Sequence, residues 1–149
     1  MSAESWKDNL VVDMNDIRDI LVETQRVAVL GIKPESRAGQ PAHYVPRYLQ
    51  EQGYQVVPVP TYYLDVTEIL GRPVYRELAA IPGPVDMVDV FRRAGDIPPH
   101  VDDIIAKGPA VVWFQLGIRN DDAARRLAQA GIRVVQDRCT MIDHRRFEL

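Results

Sequence analysis

The sequence predicts an α/β fold, a Rossmann-like doubly wound domain with a five-stranded parallel sheet and helices on both faces. Five short apolar runs alternate with segments of helical periodicity, and the runs at 26–32 and 85–91 are nearly continuous, as in strands buried on both faces. Strands that alternate with helices join through right-handed crossovers into a parallel sheet. A chain of 149 residues suits one domain. We therefore expect a single domain over residues 1–149, with 1–14 as a flexible lead-in.

The elements follow in a regular order. A short amphipathic helix with Asn15 as its N-cap precedes the first strand, and a Pro- and Gly-containing loop then leads to a helix that Gly53 ends. Residues 61–84 are broken by Gly and Pro and predict only a short helix at 74–80. The predicted strands are 26–32, 54–59, 85–91, 110–115 and 132–136, and the helices are 15–25, 42–52, 98–107, 121–130 and 140–147.

Composition and charge exclude several classes of protein. Apolar residues make up 46% and charged residues 26% of the chain, as in ordinary globular domains. The net charge of −3 argues against nucleic-acid or membrane-surface binding, and we see neither a long apolar run nor a leader sequence. The single cysteine, Cys139, excludes an internal disulfide and predicts a cytoplasmic protein.

Basic residues follow the predicted strands, although the chain as a whole is acidic. Residues 1–23 hold six acidic and two basic residues, so the rest of the chain is nearly neutral. In parallel sheets, ligands bind outside the carboxyl ends of the strands. The loops at these ends carry Lys33, Arg37, Arg92, Arg93 and Arg119, which indicates a small polyanionic ligand of the nucleotide type.

The first of these loops is the strongest candidate for binding phosphate. Gly31 allows close backbone approach, Lys33, Ser36 and Arg37 can donate to phosphate, and the following helix N-terminus favours an anion. Its spacing matches neither G-x-G-x-x-G nor the P-loop, so a solvated loop stays open as an alternative.

The other strand ends argue against NAD. No acid follows the second strand, where NAD-binding domains usually hold the ribose, and Val59 with Pro60 instead offers an apolar shelf. Phe91, Arg92 and Arg93 end the third strand, and Gln115 and Gly117 end the fourth. Asn120 is better explained as the N-cap of the following helix.

The sequence holds few catalytic candidates. The three histidines show no metal-binding spacing, and we predict neither a metal site nor a catalytic residue. Cys139 and His144 could pair on a helix and support thiol exchange, although a buried Cys more often acts as a small apolar residue. Asp86 and Asp89 lie on the third strand, where a packing role is expected. The roles of Cys139 and His144 stay open.

Six segments in order resemble the small stand-alone CoA-binding domain proteins, which are related to the nucleotide-binding domain of the succinyl-CoA synthetase alpha subunit. The likeness covers nearly the whole chain and rests on VAVLG at 27–31, PAHYVPRYL at 41–49, GYQVVPV at 53–59, VDMVDVFR at 85–92, WFQLGI at 113–118 and DRC at 137–139. The resemblance implies a Rossmann-like fold that binds coenzyme A (CoA), usually without an assigned reaction.

Carried onto this chain, the resemblance assigns a role to each strand end. The phosphate loop would run from Gly31 through Ile32 and Lys33 to Arg37. The adenosine part would lie on Val59 and Pro60, with Phe91 and Arg92 after the third strand. Gln115 to Gly117 would close the pocket. Ile32 and Lys33 stand where the family often has a small residue and Ser or His. The absence of an Asn after Val59 removes one expected contact. The synthetase's phosphohistidine domain is absent from this chain, so the resemblance does not imply ligase activity.

The sequence therefore predicts a cytoplasmic, non-catalytic protein that binds CoA or an acyl-CoA, with the thiol arm directed toward Cys139. Two alternatives remain: an NAD(P)- or acyl-CoA-dependent enzyme using the same crevice, or a regulatory module that binds another protein through its acidic N-terminal helix. We expect no nucleic-acid or membrane partner. The sequence does not predict the acyl group or the oligomeric state.

Overall fold

The computed structural model describes residues 5–149 and confirms the predicted fold class. Its strands are β1 (Arg26–Leu30), β2 (Gln55–Val59), β3 (Glu68–Ile69), β4 (Arg72–Pro73), β5 (Met87–Val90), β6 (Val111–Phe114) and β7 (Arg133–Val135). Five of them form a parallel sheet in the order β2-β1-β5-β6-β7, while β3 and β4 form a separate antiparallel hairpin. Because the chain moves outward from β1 in both directions, the strand order reverses between β1 and β5.

Helices cover both faces of the sheet. They are α1 (Met14–Glu23), α2 (Pro41–Glu51), α3 (Val101–Lys107), α4 (Asp121–Gln129) and α5 (Thr140–Arg146). One apolar core lies between the sheet and the α3–α4 layer, and a second lies between the sheet and α1 and α2. Helix α5 packs against both α1 and α2 and so lies between them. Alternate residues of each strand face opposite cores, which explains why the strand sequences are apolar throughout.

Local hydrogen bonds define the helix starts. Asp13, rather than the predicted Asn15, caps α1, because its carboxylate accepts from the backbone N–H groups of Asn15 (2.7 Å) and Asp16 (3.4 Å). Asn120 caps α4 as predicted, accepting from the N–H of Ala123 (3.0 Å).

The prediction of a helix at 74–80 is wrong, because no α-helix forms there. The hairpin β3–β4 ends there, and only a single turn of 3₁₀ helix forms at Leu78–Ala80. The backbone groups find other partners: the N–H of Tyr75 donates to Pro58 O (2.9 Å), and those of Leu78 and Ala79 donate to the Asp103 carboxylate (2.8 and 3.2 Å). These long-range bonds satisfy donors that a helix would otherwise use.

The segment before α1 lies against the far edge of the sheet. Leu10 forms a parallel bridge with Val134, and the N–H of Val11 donates to the carbonyl of Val134 (2.9 Å). A 3₁₀ helix at Ser5–Asn9 packs on α4, and the Asn9 amide donates to Ala128 O (3.0 Å). These contacts cover the open edge of β7. The lead-in predicted to be flexible also includes residues 1–4, which lie outside the described residues.

Candidate functional site: a cationic cleft where the strand order reverses

A cleft of about 350 Å³ opens at the carboxyl ends of β1 and β5, the position at which doubly wound sheets bind ligands. Three elements supply its walls: the first loop with the start of α2, the segment after β5, and the segment after β6. The lining residues are Lys33, Gln40, Pro41, Ala42, Phe91, Arg92, Arg93, Ala94, Gly117 and Ile118.

A glycine brings the two sides of the cleft together. The N–H of Gly31 donates to Val59 O and that of Phe91 donates to Leu30 O, both at 2.8 Å, so sheet pairing continues past the strand ends. A β-carbon on Gly31 would lie 2.5 Å from the carbonyl oxygen of Phe91, and the residue has a φ of +89°. Gly31 is therefore required for the approach of the neighbouring chain segment.

Lys33 is joined to the start of α2. Its backbone N–H donates to Ala42 O (3.0 Å), its carbonyl accepts from Nδ1 of the buried His43 (2.9 Å), and its ammonium donates to the side-chain oxygen of Gln40. Gln40 is the N-cap residue of α2, yet its side chain makes no capping bond. The first turn of α2 thus presents its positive dipole end to the cleft with an ammonium beside it.

Arg92 is held by groups on several sides. Its Nε lies 3.3 Å from Nε2 of His100, its Nη2 is 4.0 Å from Asp96, and its guanidinium lies over the ring of Tyr62, 5.4 Å from the centroid. The hydrogen bond and charge of Arg92 lower the pKa of Tyr62, and burial together with Arg92 lowers the pKa of His100. His100 therefore acts as a neutral acceptor for Arg92.

Arg93 is far more exposed than Arg92. Its side chain is 85% exposed, against 16% for Arg92, and its Nε lies 3.2 Å from Asp96. Asp96 is thus shared between two arginines. With Lys33, the cleft wall has three cations, and this one carboxylate lies beside them.

The loop that carries Tyr62 is fastened by one arginine. Arg76 donates to the carbonyl oxygens of Tyr62, Tyr63, Leu64 and Val66 at 2.7 to 3.2 Å. Tyr63 has a φ of +60°, a strained value for a non-glycine residue. Because four carbonyls share one guanidinium, the loop holds Tyr62 against Arg92 at the edge of the cleft.

A buried polar cluster lies beneath the carboxyl edge of the sheet. Gln115 donates to the Asp89 carboxylate (2.6 Å) and lies 2.9 Å from the Thr140 hydroxyl, which donates to the other Asp89 oxygen (3.4 Å). Burial raises the pKa of Asp89 to about 7, although the bonds from Gln115 and Thr140 oppose that rise. The cluster joins β5 and β6 to the first residue of α5.

Cys139 and His144 have separate surroundings. Cys139 is buried at the N-cap of α5, and burial raises the pKa of its thiol although the N–H groups of Ile142 and Met141 lower it. His144 Nδ1 instead forms a hydrogen bond with the Tyr48 hydroxyl (2.7 Å), and burial lowers the pKa of His144. The structure therefore shows no thiolate–imidazole pair between them.

The structure brings some of the predicted site residues to the cleft and places others elsewhere. Lys33, Phe91, Arg92, Arg93 and Gly117 line it, and Gly31 shapes it from behind. Away from the lining are the buried residues Ile32, Val59, Pro60 and Gln115, and the exposed turn residues Ser36 and Arg37.

Sequence reasoning missed several residues of the site. The start of α2 supplies Gln40, Pro41 and Ala42, and its signal was the predicted helix N-terminus that follows the first loop. Nothing in the sequence indicated that Tyr62 lies beside Arg92, because its position depends on the contact of its loop with Arg76.

None of the described helices is long and apolar enough to cross a membrane. No group of three or more His, Cys, Asp or Glu within residues 5–149 could hold a metal ion.

The fold and the cleft define a Rossmann-like domain with a cation-lined crevice where the strand order reverses. The model of the CoA binding domain family matches residues 25–145, and the chain belongs to that family. It is 33% identical over 130 residues to the uncharacterized protein YneT of Bacillus subtilis (strain 168), covering 87% of this chain and 92% of YneT.

Solved structures of similar sequence have the same fold as this chain. Cell-free ID.343 from Thermus thermophilus has a TM-score of 0.83 and 39% identity, covering 91% of this chain and 98% of that one. A hypothetical protein from Pyrococcus horikoshii OT3 has a TM-score of 0.83 and 34% identity, covering 93% and 94%.

Proposed function

We propose that this protein binds CoA or an acyl-CoA in the cleft between β1 and β5 and does not itself catalyse a reaction. The observation that carries the proposal is the meeting of Lys33, Arg92 and Arg93 with the uncapped first turn of α2. Forked guanidinium groups, an ammonium and a helix N-terminus are donors suited to pyrophosphate. Family membership supports CoA as the source of that phosphate.

The donor set fits the anionic part of CoA, and the size of the cleft limits what else it encloses. At about 350 Å³ it lies at the lower end of ligand pockets, so an extended ligand would leave part of its length at the surface. Bound CoA would supply a thiol that carries an acyl group as a thioester. The protein's residues would hold the phosphates and position the arm.

The lining supports a non-catalytic role. It contains Lys, Arg and Gln with Pro, Ala, Phe, Gly and Ile, so no hydroxyl or thiol nucleophile, histidine or carboxylate of the described residues lines it. Asp96 and His100 lie next to Arg92 and bind it. We therefore assign them to positioning Arg92. Burial raises the pKa of the Cys139 thiol, which leaves little thiolate to act as a nucleophile at neutral pH. A lone buried cysteine also fits our proposal that the protein is cytoplasmic.

The main competing ligand is a nicotinamide dinucleotide. NAD-binding sites place a carboxylate after the second strand to accept from the ribose hydroxyls. Here that strand ends in Val59 and the buried Pro60, followed by Thr61 and Tyr62. The end of β2 thus has no carboxylate to accept from a ribose diol.

Calorimetric titration with CoA, dephospho-CoA, ATP and NAD tests the proposal. We expect CoA to bind more tightly than NAD, and Arg92→Ala to weaken CoA roughly tenfold through loss of one charged contact. Arg126→Ala is the matched control, because Arg126 pairs with Asp102 on the α3–α4 side. Arg37→Ala shows whether the predicted phosphate loop reaches the ligand. Binding of NAD without binding of CoA would overturn the proposal.

A further inference from the structure

The α1–α5–α2 layer has its charges separated into an acidic and a basic half. On α1 the exposed residues include Asp16, Asp19 and Glu23, with Arg18 as the counter-charge. Asp16 and Asp19 form no ion pair with the described residues, and Glu23 is 3.8 Å from Arg133. We define these three acidic residues as the acidic half of the layer.

The basic half lies on the other side of α5. It consists of Arg47 on α2 and Arg145 on α5, with Glu51 as a nearby acid. Arg47 is 3.9 Å from Glu51, a weak exposed contact. Within residues 5–149, Arg145 has no carboxylate partner, and its guanidinium lies over the ring of Tyr48, 4.8 Å from the centroid.

The basic half contains a cavity, and apolar side chains lie between the two halves. The cavity measures about 420 Å³ and is walled by Tyr44, Arg47, Tyr48, Glu51, Met141 and Arg145, with Ala38 and Gly39 at its edge. Val22 on α1 is 56% exposed and Ile142 on α5 is 44% exposed. This face therefore offers an apolar centre, a cavity on one side and opposite charges on the two sides.

We propose that this layer binds a second copy of the chain across a two-fold axis that runs along α5. Since α5 lies between α1 and α2, that rotation places the acidic α1 of one copy over the basic α2 of the other, twice. Ile142 meets its own copy at the axis, and Val22 approaches the partner's basic cavity. Charge complementarity thus selects another copy of this chain as the occupant.

The inference is independent of CoA binding, because none of these residues lines the cleft between β1 and β5. Sedimentation velocity in low salt should show a dimer that dissociates as salt is added. Two charge-reversed variants test the pairing: Asp16→Lys with Asp19→Lys in the acidic half, and Arg47→Glu with Arg145→Glu in the basic half. Each variant alone would place like charges together at both symmetric contacts. We expect each to dimerise at least about a hundredfold more weakly.

Mixing the two variants is the decisive step. A heterodimer of one variant with the other faces Lys with Glu at one contact and the native Asp with the native Arg at the other, so an equimolar mixture should dimerise although each variant alone stays monomeric. That result would also show that both variants fold. The matched control, Glu77→Lys with Asp122→Lys, makes the same change of charge outside this face and should still dimerise. A monomeric wild type, variants that remain dimeric, or a mixture that stays monomeric would each overturn the inference. CoA titration of the same samples reports separately on the proposed function.

Discussion

Gly31 and Phe91 lie so close that a β-carbon on residue 31 would be 2.5 Å from the carbonyl oxygen of residue 91. Two segments separated by about sixty residues of sequence thus meet where the strand order reverses. This contact brings the first loop, with Lys33, against the segment that carries Arg92. The distance between Lys33 and Arg92, which are two of the three cations that we assign to phosphate, therefore depends on the glycine at position 31.

Gly31→Ala should impair both stability and ligand binding. The φ of +89° disfavours any L-residue, and the new methyl group would have to move the Phe91 backbone. We expect a loss of about 2 kcal/mol or more in the free energy of unfolding, measured by urea denaturation, together with weaker CoA binding. Gly39→Ala is the control, since a β-carbon at that position would have no neighbour within 4 Å and its φ is not positive. Equal effects of the two substitutions would contradict this account.

Arg76→Ala should loosen the loop at 61–66. The variant loses donors to four carbonyl oxygens, and Tyr62 would no longer be held against Arg92. We expect faster amide hydrogen exchange after Pro60, a cost to stability of about 1 kcal/mol, and reduced CoA affinity. Arg72→Ala, at an exposed position of the neighbouring hairpin, should leave all three unchanged. Unaltered exchange in the Arg76 variant would show that the loop is held by other contacts.

Asp89 should make stability depend on pH in a defined window. The pKa of its carboxyl is about 7 in the folded protein against an ordinary 3.8, so the unfolded chain releases this proton first. Its contribution is therefore most favourable below about pH 4 and declines as pH rises to about 7. Asp89→Asn removes this dependence while Gln115, by rotating its amide, can still form a hydrogen bond.

The measurement is the difference in unfolding free energy between wild type and Asp89→Asn across that range. As pH rises from about 4 to 7, the wild type should lose stability relative to the variant. Above about pH 7 the difference in unfolding free energy should stay constant. Asp122→Asn, at an exposed position of α4, controls for the loss of a carboxylate. A difference that stays constant between pH 4 and 7 would show that Asp89 is ionised in the folded protein.

Cys139 should react slowly while the protein is folded. It is 8% exposed, and burial raises the pKa of its thiol, so little thiolate is accessible at neutral pH. When the protein is incubated with CoA disulfide, we expect Cys139 to form a mixed disulfide only as fast as the start of α5 opens locally. Mass spectrometry measures the rate of this reaction. Urea should raise the rate to that of a free cysteine. Rapid exchange in the native protein would instead support a thiol arm that reaches Cys139 directly.

The predictability of the fold follows from how local its signals are. Apolar runs and helix caps depend on neighbouring residues, so the five strands and five helices could be predicted from the sequence. The hairpin β3–β4 could not, because each strand has two residues and the segment is held by Arg76, Asp103 and Pro58. The helix predicted at 74–80 failed for the same reason.

The site was only partly predictable, because strand-end residues alternate between facing the core and facing the cleft. The sequence indicates that Gln115 follows β6, but only the fold shows that its amide binds Asp89 inside the protein. Val59 and Pro60 likewise end β2 and are buried. By contrast, Arg92 and Arg93 follow β5 and line the cleft because the strand order reverses beside them.

The measurement that tests the central claim most directly is the mapping of CoA-induced amide shifts by ¹⁵N NMR. We predict saturable changes in the amides of Lys33, Ala42, Phe91, Arg92 and Gly117, around the cleft between β1 and β5. The amide signals of the α1–α5–α2 surface, such as those of Asp19 and Arg145, should keep their chemical shifts when CoA is added at constant protein concentration. Saturable shifts confined to that surface, or no shifts at all, would contradict the claim that this cleft binds CoA.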